Sequence, residues 1–92
     1  MLYLVSYDLK GGDTDDYQEL YQAFNEYDDS IRALESSWLI ETNKDCMTIR
    51  DELRAKMKTH DLIIVVPYGV QRASWLPSSV VDWIREKTHK GK

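Results

Sequence analysis

Ninety-two residues, 42% apolar and 30% charged, suit one globular domain whose single core buries roughly 60–65% of the unfolded surface. No apolar run approaches the roughly 20 residues of a membrane span, which argues against a spanning helix. Twelve basic against sixteen acidic residues leave a net charge of −4, an unusual balance for a protein that works mainly by coating phosphate backbones.

That net charge hides an asymmetry. Residues 1–48 carry eleven acids against three bases (Lys10, Arg32 and Lys44), while residues 49–92 carry nine bases against five acids. A basic face would have to be assembled from Arg50, Arg54, Lys56, Lys58, Arg72, Arg85 and Lys87, although a solvated surface is the simpler reading. Cys46 is the one cysteine, so no intrachain disulfide can form and a reducing cytoplasm is the expected compartment. The N-terminus lacks a basic stretch followed by an apolar segment, so no secretory signal is expected.

Leu2–Leu9 is apolar on both faces until Ser6 and Asp8, the pattern of a central strand. Lys10-Gly11-Gly12 is a turn. Asp13 or Thr14 is a helix cap, and Asp15 and Asp16 fall in the first turn, where the helix dipole favours negative charge. Tyr17, Leu20, Tyr21 and Phe24 recur on one face of a helix that ends near Tyr27, at Asp28-Asp29-Ser30. Ile31–Thr42, broken by Ser36-Ser37, reads as two short strands or one bent ribbon with Leu34, Trp38 and Ile40 inward.

Asn43–Asp45 is loop and cap before a second amphipathic helix marked by Cys46, Ile49, Leu53 and Met57. Leu62–Val66 is a continuous β-branched run ending at Pro67 and reads as a buried strand. Beyond it, Pro67-Tyr68-Gly69 turns the chain and Ala73–Leu76 is a candidate short edge strand. Pro77 is placed to start a last helix carrying Val80, Val81, Trp83 and Ile84. Thr88–Lys92 reads as a basic end.

The order β-α-β-β-α-β predicts one α+β domain over residues 1–92. Its architecture is the ferredoxin-like sandwich: a four-stranded antiparallel sheet with two helices on one face, plus a C-terminal short strand and helix in residues 67–92. The first and last core strands are then neighbours, expected at the sheet centre. The other sheet face must be wet or covered. A second copy meeting it face to face is the expected cover, with the C-terminal appendage at that interface.

The segments "YLVSYDL", "SSWLIET" and "HDLIIVV" together resemble the CRISPR-associated protein 2 family. The whole chain is more closely similar to that superfamily's small bacterial and phage members often labelled SinR-like, chiefly through "SSWLIETNKDCMTIRDEL" and "SWLPSSVVDWIRE". The resemblance implies a ferredoxin-like homodimer with facing sheets. It implies either a metal-dependent endonuclease on RNA or DNA or a non-catalytic scaffold that engages a protein partner. Nuclease members carry an aspartate at the end of the first strand in a Tyr-Asp dipeptide, near the dimer axis. Tyr7-Asp8 matches it, so the resemblance assigns Asp8 as catalytic residue and as ligand of a shared Mg²⁺, a hard cation that takes oxygen ligands.

A plainer reading of Asp8 stands beside that one: a strand-end aspartate before two glycines that accepts backbone amides in the turn. The acids Asp13, Asp15 and Asp16 would repel a phosphate backbone unless a cation lay between. The remaining candidates have bland alternatives. His60 is a turn residue or a general base, and His89 lies in the tail. Cys46 reads as core. Trp38, Trp75 and Trp83 are packing residues before they are base-stacking platforms. Gly11-Gly12 lacks the Lys-Ser/Thr of a phosphate loop.

Overall fold

The computed structural model describes residues 1–11 and 14–88. Its elements are β1 (Leu2–Asp8), α1 (Thr14–Phe24), β2 (Asp29–Leu34), β3 (Ser37–Glu41), α2 (Cys46–Arg54), β4 (Leu62–Pro67) and α3 (Ser78–Thr88). The four strands form one antiparallel sheet in the order β2-β3-β1-β4. With α1 and α2 together on one face, this is the ferredoxin-like α+β fold.

Alternation along β1 divides the side chains between two cores. Tyr3, Val5 and Tyr7 point towards α1 and α2, joining Trp38 and Ile40 of β3. Leu20 and Phe24 of α1 and Ile49 and Leu53 of α2 close that core and are fully buried. Phe24 stacks on Trp38 with ring centroids 4.7 Å apart, and Tyr21 packs on the same indole at 5.5 Å. Asp45 caps α2 by accepting from the Thr48 amide at 2.8 Å. The alternative cap for α1, Asp13, lies outside the described residues, as do Gly12 and His89.

The second core is smaller. Leu39 of β3, on the opposite sheet face, packs with Val80 and Ile84 of α3, flanked by Leu4, Ile31 and Trp83. The Pro77 carbonyl accepts the first bonds of α3 from Val80 and Val81, so proline stands at the helix start as its fixed φ favours. An ion pair pins the other end of α3. Lys87, whose side chain is 10% exposed, binds Asp29 and lies 4.0 Å from Glu41, its cross-strand neighbour.

Three sequence expectations are corrected. Strand β4 adjoins β1 but forms an edge of the sheet, and its apolar run is only half buried. Ile63 and Val65 face the main core, while Leu62 and Ile64 are 57% and 59% exposed and Val66 is 37% exposed. A continuous apolar run reads the same whether its outer side is covered by the same chain or left open. Leu34 is exposed, because an irregularity between Arg32 and Leu34 shifts the end of β2 relative to β3. Ala73–Leu76 forms no strand in the single chain, and Trp75 is wholly exposed.

Candidate functional site

Asp8 ends β1 opposite Leu62 of β4, on the sheet face that α3 only half covers. Register places Ser6, Ile64, Val66 and Ser37 on that same open side. The carboxylate rims a shallow hollow of about 250 Å³ whose floor includes Ser6, Leu62 and Ile64. Its Oδ2 accepts from the Lys10 ammonium at 2.7 Å, and both side chains are more than half exposed. Such an exposed pair contributes little to stability, so this carboxylate is open to exchange its partner.

The turn-capping role belongs instead to Asp61, which the sequence reading passed over as the residue before β4. Asp61 is buried and accepts from the Lys10 amide and the Lys58 amide, each at 2.8 Å. It thereby ties the loop after β1 to the loop before β4. Burial alone would raise its pKa, but those two amides, with Arg54 and Lys58 nearby, outweigh burial and hold it below the usual carboxylate value. The signal was available in sequence: an aspartate three residues after Lys58, in a turn entering a strand, has the geometry of a side-chain-to-backbone cap.

Around this end of the sheet, Lys10, Lys58 and His60 line a broad depression of about 690 Å³. Lys58 also binds Asp16 of α1 at 2.9 Å, so part of the acidic helix start is neutralised from the neighbouring loop. Among the described residues no group of three or more His, Cys, Asp or Glu side chains is gathered to hold a metal. Each chain brings Asp8 as one exposed oxygen donor to the open face. Hard cations take several oxygen ligands and keep waters, so the Asp8 of one chain does not by itself make a cation site.

The other candidates are dispersed. Cys46 lies at the margin of the main core and Trp38 inside it. His60 is an exposed turn residue. Lys87 is withdrawn from any basic surface by its ion pairs, and Arg50 pairs with its neighbour Asp51 at 2.9 Å. Arg72 and Arg85 both line a groove at the opposite end of the sheet from Asp8. Among the described residues, no helix is long and apolar enough to cross a membrane.

No protein-family profile matches the sequence, and no curated protein matches it. Among solved structures, a hypothetical protein from Thermus thermophilus is similar, with a TM-score of 0.60 and 20% sequence identity over 83% of this chain and 93% of that chain. At that identity the likeness is one of fold.

Proposed function

We propose that this chain is a cytoplasmic homodimer of the CRISPR-associated protein 2 type, acting as a metal-dependent phosphodiesterase on RNA or DNA through paired Asp8 side chains. The observation that carries this reading is the position of Asp8. It is exposed at the end of β1, on the open sheet face, beside the uncovered aliphatic row Leu62, Ile64 and Val66. A second copy laid on that row would bury it and bring a second Asp8 to the same face.

Mg²⁺ or Mn²⁺ bound there would supply Lewis acidity and an activated water. The chain's own residues have simpler tasks. The two Asp8 carboxylates would hold the cation. Lys10, which pairs with Asp8 in the single chain, would be the base nearest the cation and would offer its ammonium to a phosphate oxygen. Asp61 fixes the loops that carry Lys10 and Lys58.

The test is cleavage of labelled single-stranded RNA and duplex DNA by wild type, Asp8→Asn and Lys10→Ala, with Mg²⁺, Mn²⁺ or EDTA. The expected outcome is cation-dependent cleavage, abolished in Asp8→Asn and lowered roughly 10- to 100-fold in Lys10→Ala. A folded, dimeric wild type that cleaves neither substrate would overturn the catalytic reading. It would favour the second one, a non-catalytic dimeric scaffold or binding protein. The Lys10–Asp8 pair is the observation behind that alternative, since it already neutralises the carboxylate within one chain.

A further inference from the structure

We infer that the hollow between the ends of α1 and α2 binds a small zwitterion, a free α-amino acid with an aliphatic side chain. Its ammonium meets Glu26 and its carboxylate meets Lys56. The site lies on the helical side of the sheet, away from Asp8, so it stands or falls independently of the reading above.

The hollow has a volume of about 270 Å³, below the roughly 300–1,000 Å³ of sites for drug-sized molecules and fit for a small metabolite. Buried Ala23 of α1 and Leu53 of α2 give it an apolar floor. One wall is already satisfied. Glu52 accepts the Tyr27 hydroxyl through Oε1 and the Lys44 ammonium through Oε2, each at 2.8 Å. Lys44 also lies 5.4 Å from the centre of the Tyr27 ring. That wall is neutral as a unit and offers no unpaired charge.

The other two charged groups of the lining are Glu26 and Lys56. Among the described residues neither side chain makes a hydrogen bond or an ion pair, with the other or with any third group. Each is carried by a backbone turn. The Glu26 amide donates to the Ala23 carbonyl at 3.2 Å just after α1, and the Lys56 amide donates to the Leu53 carbonyl at 3.0 Å just after α2. Opposite charges facing one hollow select their ligand by charge. A lone anion or cation is attracted by one and repelled by the other, so neither a phosphate nor a metal ion suits the site. A ligand carrying both charges gains both contacts, and hydrogen bonds between charged groups are the stronger kind. The apolar floor favours an aliphatic side chain on that ligand over a polar one.

The experiment is titration of the full-length chain, labelled with nitrogen-15, with L-leucine, followed by amide chemical shifts and by Tm. Two half-ligands serve for comparison: 4-methylpentanoate, which lacks the ammonium, and isoamylamine, which lacks the carboxylate. Leucine should shift the amides of residues 23–27 and 52–56 and raise Tm. It should bind at least about tenfold more tightly than either half-ligand. Glu26→Gln should bind leucine no better than 4-methylpentanoate, and Lys56→Met should bind it no better than isoamylamine. Both side chains are on the surface, and circular dichroism checks that the variants fold. The inference is overturned if millimolar leucine shifts none of those amides, or if a half-ligand binds the wild type as tightly as leucine does. It is overturned too if both folded variants keep the wild-type preference. The half-ligand comparison needs no variant, so it decides the matter even where a substitution disturbs folding.

Discussion

Two aspartates sit at the same end of the sheet and have exchanged the roles a local reading would give them. Asp8, next to the glycines, makes a side-chain pair with Lys10, while Asp61 holds the turn through two backbone amides. Removing the Asp61 carboxylate leaves those amides without their charged acceptor, a loss on the order of 2–3 kcal/mol. Asp61→Asn keeps one acceptor but turns an NH₂ towards a donor, so its midpoint in urea should fall nearly as far as that of Asp61→Ala. The pKa of Asp61 is depressed in the fold. Its contribution is therefore complete above the unfolded value of about 3.9 and is lost as pH drops through the lower folded value. Urea titrations at pH 7 and pH 3 should show the wild type losing more stability on acidification than Asp61→Asn. Equal losses would remove Asp61 from the acid response. What made the exchange hard to read is distance: the Lys10 amide and Asp61 are fifty-one positions apart, and only the β1–β4 pairing brings them together.

At the level of elements, the periodic segments were legible because their burial is one-sided. The apolar positions Leu20, Phe24, Ile49 and Leu53 recur at helical spacing, and Trp38 and Ile40 alternate at strand spacing. All six lie in the core the pattern requires. Elements whose surroundings are set by distant chain were not legible. Strand β4 is as aliphatic as a central strand yet has an open side, and Leu34 depends on a local shift in the β2–β3 ladder. The attachment of α3 was likewise hidden, since Lys87 read as one base among many. Its ammonium lies against Asp29 and near Glu41, two carboxylates directly opposite in the β2–β3 ladder, and the Trp83 ring lies beneath it at 5.5 Å. The hydrogen bond to Asp29 raises the Lys87 pKa and lowers that of Asp29. The lysine side of this contribution is present below about pH 10.4 and lost as pH rises through the higher folded value. The aspartate side is present above about pH 3.9 and lost on acidification. Lys87→Met keeps the stem but leaves two like charges opposed, so the α3 amides should exchange with solvent several-fold faster at pH 7 while those of α2 stay protected. Uniform acceleration across both helices would mean that α3 does not open as a unit.

For the whole molecule, the sheet is covered unevenly, and that unevenness bears on assembly. One face lies under α1 and α2, and the other lies under α3 only on the β2–β3 side. The uncovered part ends in a sheet edge with no charged side chain between Leu62 and Val66, although natural edges are commonly blunted by charge. An exposed aliphatic row on an unprotected edge is a surface that a second copy can bury, which would add apolar contact to a domain small enough to need it. Association then couples to stability, because anything that binds the folded chain and not the unfolded one raises its melting temperature with concentration. For the wild type, Tm should rise over a hundredfold increase in protein concentration, and sedimentation should show a dimer. Ile64→Asp places a charge in the middle of the row without touching either core. It should weaken dimerisation by at least about tenfold, equivalent to about 1.4 kcal/mol, and flatten the dependence of Tm on concentration. The same variant tests the proposed chemistry, because a cation site shared by two Asp8 side chains would be lost with the dimer. Cleavage should therefore fall in Ile64→Asp although every group near Asp8 remains. Undiminished cleavage by a monomeric Ile64→Asp would show that one chain suffices and would end the shared-site mechanism.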